Sequence, residues 1–297
     1  MSAFPSDGLE FQTVTTNKAL NPDFHIHNAY ELYLLLEGDL NFYVHQSCYH
    51  LKPGALMILN DLEMHKAVYS TDGPYKRIFI HIPPAFLHHY STEQTDLTAC
   101  FVKRETGLRN FIQLESEQVH FFTQQVHEMQ EARQSRYFGN DVLIDSCLLR
   151  ILIMVNGLFQ VEAFNDGLSV HYPPNVKEII TYVEEHILEP LSLDQIASAL
   201  SLNKYYLCRI FKKETGTTIF RYILLKRISL SRILLAEGKN VTEACFQSGF
   251  QNYTNFITEF RKITGYTPKK YRNMKVYSLA ESCHWASMGG SSLPTVK

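Results

Sequence analysis

Between Tyr30 and about Ile82, apolar residues recur in short runs separated by turn signals: YELYLLL, then Glu37-Gly38-Asp39, LNFYVH, SCYHL, Lys52-Pro53-Gly54, ALMILN, KAVYS and YKRIFIHI. Strand-length runs at this spacing predict a β-sandwich or barrel. Leu40, Asn41, Phe42, Tyr43 and Val44 alternate in polarity, as expected of a strand with one face in the core. The period changes after about residue 83. Short helical pieces come first, and then Val119, Phe122, Val126 and Met129 recur at helical spacing.

A long helix is predicted from about Asp141. Its Ile144, Leu148, Ile151, Leu152, Val155 and Phe159 cover more than one stripe, so it is expected to pack on the barrel and also against a second subunit. Burial within a single chain is the plainer alternative. The segment Val142 to Phe159 is the most apolar in the chain, but Asp145, Arg150 and Asn156 interrupt it and argue against a bilayer span. From about Val161 to Pro174, Asn165-Asp166-Gly167 and Pro173-Pro174 predict a linker. Short helices without a convincing strand follow, from Asn175 to Asn273.

The 297 residues suffice for about two domains, and 45% hydrophobic with 20% charged residues is the balance of a globular chain. Residues 1–173 hold 11 Lys and Arg against 20 Asp and Glu, whereas residues 174–273 hold 15 against 9. A net charge of -2 therefore conceals a basic C-terminal region, and such a region suits a polyanion like DNA. An early acidic residue and no apolar run behind a basic start predict neither a secretory signal nor a presequence, hence a cytoplasmic protein. Six scattered cysteines without a CxxC pair argue against disulfides or structural zinc, and most are expected to be small buried apolar residues.

In LSLDQIASALSLNKYYLCRIFKKETG, Ser192 or Asp194 can cap a short helix through Leu200, a turn follows at Ser201 and Leu202, and a second helix starts from Asn203. Leu207, Ile210 and Phe211 share one face, leaving Lys204, Tyr205, Cys208, Arg209 and Lys212 outward, where Arg209 can fork onto guanine and the lysines can meet phosphates. A second copy follows. Phe256, Phe260, Lys262 and Gly265 match Leu207, Phe211, Lys213 and Gly216 at an offset of 49, while Ala197 matches Cys245 at 48. The second turn is thus one residue longer, and its Gly249 is predicted to take a positive φ.

Together with Ile196-Ala197, Lys226-Arg227-Ile228, Gly249-Phe250 and the terminal GYTPKKYR, this ordered set resembles the DNA-binding domain of the AraC/XylS family of bacterial transcription regulators. The resemblance spans about 100 residues and implies two helix-turn-helix units joined by a helix around Arg221 to Leu235. Their recognition helices would enter successive major grooves, about 34 Å apart. The DNA-facing residues it implies are Asn203, Lys204, Tyr205, Cys208, Arg209 and Lys212 in the first unit. Those of the second are Asn252, Tyr253, Thr254, Ile257, Thr258 and Arg261. Lys239, Lys269 and Lys270 are as readily solvated surface as phosphate contacts. Ala244 and Cys245 depart from the family's usual isoleucine and alanine and predict looser packing, and Ile257 either reads thymine methyls or packs.

Upstream, His25, His27 and Glu31 precede Gly38, and His65 follows in NDLEMH. This spacing resembles the first cupin motif with the histidine of the second, although Asn60 and Leu62 stand where cupins often have proline and glycine. The resemblance implies a cupin-like barrel in the sensor of such a regulator. In metal-dependent cupins these four positions hold one divalent ion, for which imidazole with carboxylate is suited. In a regulator the same side chains are expected to line a ligand pocket without a metal or other cofactor. His25, His27, Glu31, Tyr43, His65 and Phe79 then form an effector site, with Tyr30 and Phe42 as further aromatics able to stack on a sugar.

The resulting expectation is an α+β multidomain protein: a cupin-like effector-binding barrel (1–115), dimerisation helices and linker (116–173), an all-α DNA-binding domain (174–273) and a flexible tail (274–297). It would be a dimeric, non-enzymatic activator that binds promoter DNA and RNA polymerase, answers to a small effector such as a carbohydrate, and makes no membrane contact. Two rivals stand beside it: a metal-dependent cupin enzyme fused to a DNA-binding module, and a ligand-independent DNA-binding protein whose barrel only dimerises.

Overall fold

Strands β2 (Tyr30–Glu37), β3 (Leu40–Val44), β4 (Ser47–Leu51), β5 (Ala55–Leu59), β6 (His65–Val68) and β7 (Tyr75–Ile82) are the six apolar runs of the sequence. They belong to a computed structural model that describes residues 8–45, 47–69, 72–105, 107–135, 137–161 and 169–273, with 169–171 described by backbone alone. An earlier strand, β1 (Glu10–Thr16), and two three-residue strands, β8 (Phe111–Gln113) and β9 (Ser169–His171), complete two antiparallel sheets. Their orders are β1-β7-β2-β5-β8 and β6-β3-β4-β9.

Strand β2 is buried on both faces. Side chains alternate along a strand, so Tyr30, Leu32 and Leu34 share one face with Ile78, Ile80 and Ile82 of β7. Helices α3 (Ser116–Gln134) and α4 (Asn140–Val161) cover that face with Phe122, Val126, Met129, Leu148, Ile151 and Leu152. The opposite face, with Tyr33, Leu35, Met57 and Leu59, meets Leu40, Phe42, Val44 and Leu51 of the second sheet. Burial of both faces is what makes YELYLLL nearly continuous in apolar residues.

Helix α4 has the length and apolarity of a membrane span by composition. One side of it, however, is core, and each of its three polar interruptions has a partner. Asp145 accepts from the Tyr90 hydroxyl at 2.6 Å, Arg150 lies over the Phe121 ring, and Asn156 donates to Leu97 O while accepting from Cys100 N. Cys48, Cys100, Cys147 and Cys245 are buried and Cys208 is half-buried, all as free thiols; Cys283 lies outside the described residues.

The short helices α1 (Pro84–Tyr90) and α2 (Ala99–Val102) lead to a buried polar knot. Glu63, in the turn before β6, has no exposed surface. Its carboxylate receives two guanidinium donors of Arg104, the backbone N–H groups of Asn60 and Gly107, and the Asn110 amide. Arg104 also reaches Ile58 O and Leu108 O.

The interval read as a linker contains β9, which pairs with β4 (Ser47↔His171 to Tyr49↔Ser169). The next residue, Tyr172, is buried and stacks on Tyr43 at 5.5 Å. The chain leaves α4 and returns to close an edge of the second sheet before α5 (Pro174–Glu185) begins. The apolar–polar pattern missed this strand because three residues are too short to show alternation.

By packing, the chain divides into residues 1–184 with Ser192–Tyr222, and Glu185–Leu191 with residues from Ile223 onward. The first unit thus includes α6 (Leu193–Ala199) and α7 (Lys204–Thr215) besides the sheets. Asn175 donates to the Tyr206 hydroxyl there, and the Tyr222 hydroxyl donates to Glu184. Helix α8 (Ile219–Ala236) is followed by α9 (Val241–Gln247) and α10 (Tyr253–Thr264). The segment from residue 274, read as a flexible tail, lies outside the described residues.

Removing one partner of a buried ion pair strands the other charge without water. Glu63→Ala should therefore lower the free energy of unfolding by about 3–5 kcal/mol, measured by chemical denaturation. A cost within ~0.5 kcal/mol, the range of ordinary surface changes, would show that the knot contributes little.

Candidate functional site

The two helix-turn-helix units repeat down to their hydrogen bonds. In the first, Ser192 caps α6 in a capping box with Gln195, and Asn203 Oδ1 accepts from Tyr205 N and Tyr206 N at the start of α7. In the second, Asn240 caps α9 in a box with Glu243, and Asn252 caps α10 through Asn255 N. Each recognition helix ends alike. The Thr215 hydroxyl donates to Phe211 O and accepts from Thr217 N before Gly216 at φ 71°; Thr264 does the same with Phe260 O and Tyr266 N before Gly265 at φ 75°.

Four residues separate α6 from α7 and five separate α9 from α10, as the two offsets predict. The additional turn holds Gly249 at φ +90°, where a Cβ would stand 2.5 Å from Ile187 O. Glycine is thus required twice over, by its backbone angle and by the close approach. Arg227, of the predicted Lys-Arg-Ile set, ties the same segment by donating to Ile187 O and Glu189 O. Ala244 and Cys245 are fully buried despite their departure from the family pattern.

On α7 the apolar side is Leu207 and Phe211, both buried, with Ile210 half-buried; on α10 it is Phe256 and Phe260. Lys204, Tyr205, Arg209 and Lys212 are exposed and Cys208 is half-buried. Tyr253, Thr254, Thr258 and Arg261 are exposed and Ile257 is half-buried, so the structure leaves the thymine-contact and packing readings of Ile257 both open. Three candidates carry local duties as well: Asn203 and Asn252 are caps, and Lys204 Nζ pairs with Asp194 at 2.8 Å. Lys239, Lys269 and Lys270 are exposed, Lys270 lying over the Tyr266 ring.

Inside the sheets, the predicted sensor residues converge. Glu31 on β2 stands opposite His81 on β7, and a pair of backbone hydrogen bonds (3.1 and 3.0 Å) joins His25 to His65. His65 Nε2 and His27 Nε2 lie 2.9 and 3.4 Å from Glu31 Oε2, and His81 Nε2 lies 3.7 Å from Oε1. His27 and His81 rings are 4.2 Å apart, Phe42 stacks on His65, and Phe79 lies beside His81.

Burial, with repulsion from His65, depresses His25 to about 4. Burial depresses His27 to about 3 although Glu31 pulls the other way, so both rings are neutral near pH 7. For Glu31, burial opposes ionisation, but the imidazoles of His65, His81 and His27 outweigh it and hold the carboxyl well below the usual range. His81 is raised, because its bonds to Glu31 and Glu10 overcome burial.

His25, His27, Glu31, His65 and Phe79 thus meet. Tyr43 does not: it faces away from Phe42 on β3, against Tyr172, with Lys66 Nζ 5.0 Å from its ring. Tyr30 stacks on Phe101 in the outer core. His81 went unrecognised in the sequence. Its signal was its spacing of two from Phe79, which puts both on one face of the strand YKRIFIHI.

A model of the AraC-like ligand binding domain matches residues 13–146, and a helix-turn-helix domain model matches residues 196–274. The HTH-type transcriptional regulator YdeC of Bacillus subtilis is 25% identical over 273 residues, 88% of this chain and 90% of its own. The TetD protein of transposon Tn10 from Escherichia coli is 30% identical over 110 residues, 37% of this chain and 79% of its own. The transcriptional regulator Rob of Salmonella typhimurium is 31% identical over 104 residues, 35% and 36%. ToxT from Vibrio cholerae aligns over 90% of this chain and 98% of its own at 16% identity and a TM-score of 0.37, too loose for comparison by residue. YdeC and Rob are transcriptional regulators rather than enzymes, and the chain belongs to the AraC family of DNA-binding transcription regulators with a ligand-binding domain.

Proposed function

We propose that this protein is a cytoplasmic, homodimeric transcription activator that reads promoter DNA through α7 and α10 and answers to a small ligand held in its barrel. The observation that carries the DNA reading is the duplicated unit: two capped recognition helices, each anchored by buried apolar residues, present arginine, lysine, tyrosine and threonine side chains outward. Arg209 is the base reader, with its guanidinium 5.9 Å from the Tyr206 ring centroid, and Lys212 and Arg261 meet phosphates. RNA polymerase is the partner an activator engages at a promoter.

The dimer reading rests on α4. Its core side is occupied, yet Val142 and Ile153 are 67% and 60% exposed, and the half-buried Leu149 lies between them on the same face. A second copy of the same helix would cover that seam. The barrel ligand is read from the polar cluster around Glu31. A carbohydrate, the class suggested by the family resemblance, finds Phe42 and Phe79 beside the cluster, while Tyr30 and Tyr43 are turned elsewhere.

Genome-wide occupancy of the tagged protein supplies the operator for the test. Arg209→Ala should weaken binding to a recovered site by about 10–100-fold and relax sequence preference, whereas Lys212→Ala should weaken all sequences alike and reduce the salt slope by about 1. Unchanged affinity in both variants would remove α7 from the interface. Ile153→Asp should shift the sedimenting species from dimer to monomer with the circular dichroism unchanged; a persistent dimer would place the contact elsewhere.

A further inference from the structure

The two recognition helices end on the same motif but not in the same surroundings. Gly216 closes α7 at φ 71° and Gly265 closes α10 at φ 75°. A Cβ at Gly265 would meet nothing within 4 Å among the described residues, whereas one at Gly216 would collide with Lys66 Nζ and stand 2.6 Å from Asn21 Oδ1. The end of the first recognition helix is therefore covered, and the residues that cover it belong to the sensor.

Lys66 lies on β6, one residue past His65, so its side chain leaves the strand on the face opposite the Glu31 cluster. It is 1% exposed. A buried ammonium is costly unless its charge is matched. Its neighbours within the sensor are neutral: Asn21 Oδ1 accepts at 2.9 Å, and the centres of the Phe24 and Tyr43 rings lie 5.4 and 5.0 Å from Nζ. The end of α7 supplies the rest, because the last carbonyls of a helix carry partial negative charge and favour a cation beside them.

Two further contacts hold the same helix. Phe211, its buried anchor, meets the Tyr222 ring edge to face at 5.7 Å, and the Tyr222 hydroxyl donates to Glu184 of α5. Near its start, the Tyr206 hydroxyl accepts from Asn175, also of α5. Packing accordingly places α6 and α7 with the sheets, and α9 and α10 in the second unit. Docking does not hide the reading face, since Lys204, Tyr205, Arg209 and Lys212 stay exposed.

We propose that Lys66 is a positioning residue for DNA binding: from the sensor sheet it anchors the C-terminal end of α7 at Gly216 and holds the first recognition helix, alone of the two, in place for its major groove. This rests on the reading of α7 proposed above. An anchored helix enters DNA without first being ordered, so loss of the anchor weakens the groove read by α7 and spares the one read by α10.

The test uses the full chain on a recovered operator, with hydroxyl-radical footprinting to read each groove separately. Arg209→Ala and Arg261→Ala identify the grooves of α7 and α10. Lys66→Met, which keeps the apolar stem, should weaken operator binding about 5-fold or more and lose protection over the α7 groove alone. Gly216→Ala should do the same. Gly265→Ala carries the same left-handed strain without the collision, and should leave the α7 groove as in the unaltered protein. This glycine pair decides the outcome if circular dichroism shows that Lys66→Met does not fold. Unaltered footprints in Lys66→Met and Gly216→Ala, or equal loss over both grooves, would overturn the proposal. No groove lost in Arg209→Ala would instead refute the reading of α7 itself, and the positioning role with it.

Discussion

The Glu63 carboxylate is the constraint on which the sensor depends. It lies two residues before His65, and its five donors come from the turn at Asn60, from Arg104, and from Gly107 and Asn110 ahead of β8. A buried charge is tolerated only when its lone pairs are matched, and here both oxygens are matched several times over. The main-chain carbonyl of the same residue takes the Nδ1–H of His65. One residue thus ties the turn to the neighbouring loop with its side chain and sets a histidine's orientation with its backbone.

Strand β2 shows why the sheets were legible and their edges were not. A strand covered on both faces must be apolar throughout, so YELYLLL stands out in the sequence. Strand β1, EFQTVTT, pairs with β7 at the sheet edge and is mostly exposed or half-buried, which leaves it no apolar stripe to recognise. Strands β8 and β9 owe their existence to partners distant in sequence, β5 and β4. The sensor residues divide in the same way. His25, His27, Glu31 and His65 follow a recognisable spacing, whereas His81 joins them only through the register Glu31↔His81, which no local pattern announces.

The helical half was more legible because its rules are local. Caps, a turn glycine and i, i+3, i+4 apolar residues all lie within a few positions of one another, and the second copy confirms the first. Repetition also separates scaffold from reading surface. The threonine and glycine that close each recognition helix recur, and so do the anchoring Phe211 and Phe260, while the outward side chains differ: Tyr205, Arg209 and Lys212 on one helix, Thr254, Thr258 and Arg261 on the other. The two copies share the frame and differ in the side chains they turn outward.

The return of the chain to the second sheet decides where this protein can be cut. Residues 161–174 look in sequence like a natural place to separate sensor from reader. A sensor fragment ending at Val161 would lose β9 and Tyr172, baring the backbone edge of β4 and one face of the Tyr43 ring. An unpaired edge beside an uncovered aromatic invites pairing with other chains, so such a fragment should self-associate through an edge absent from the intact protein. A sensor fragment needs to extend through Tyr172.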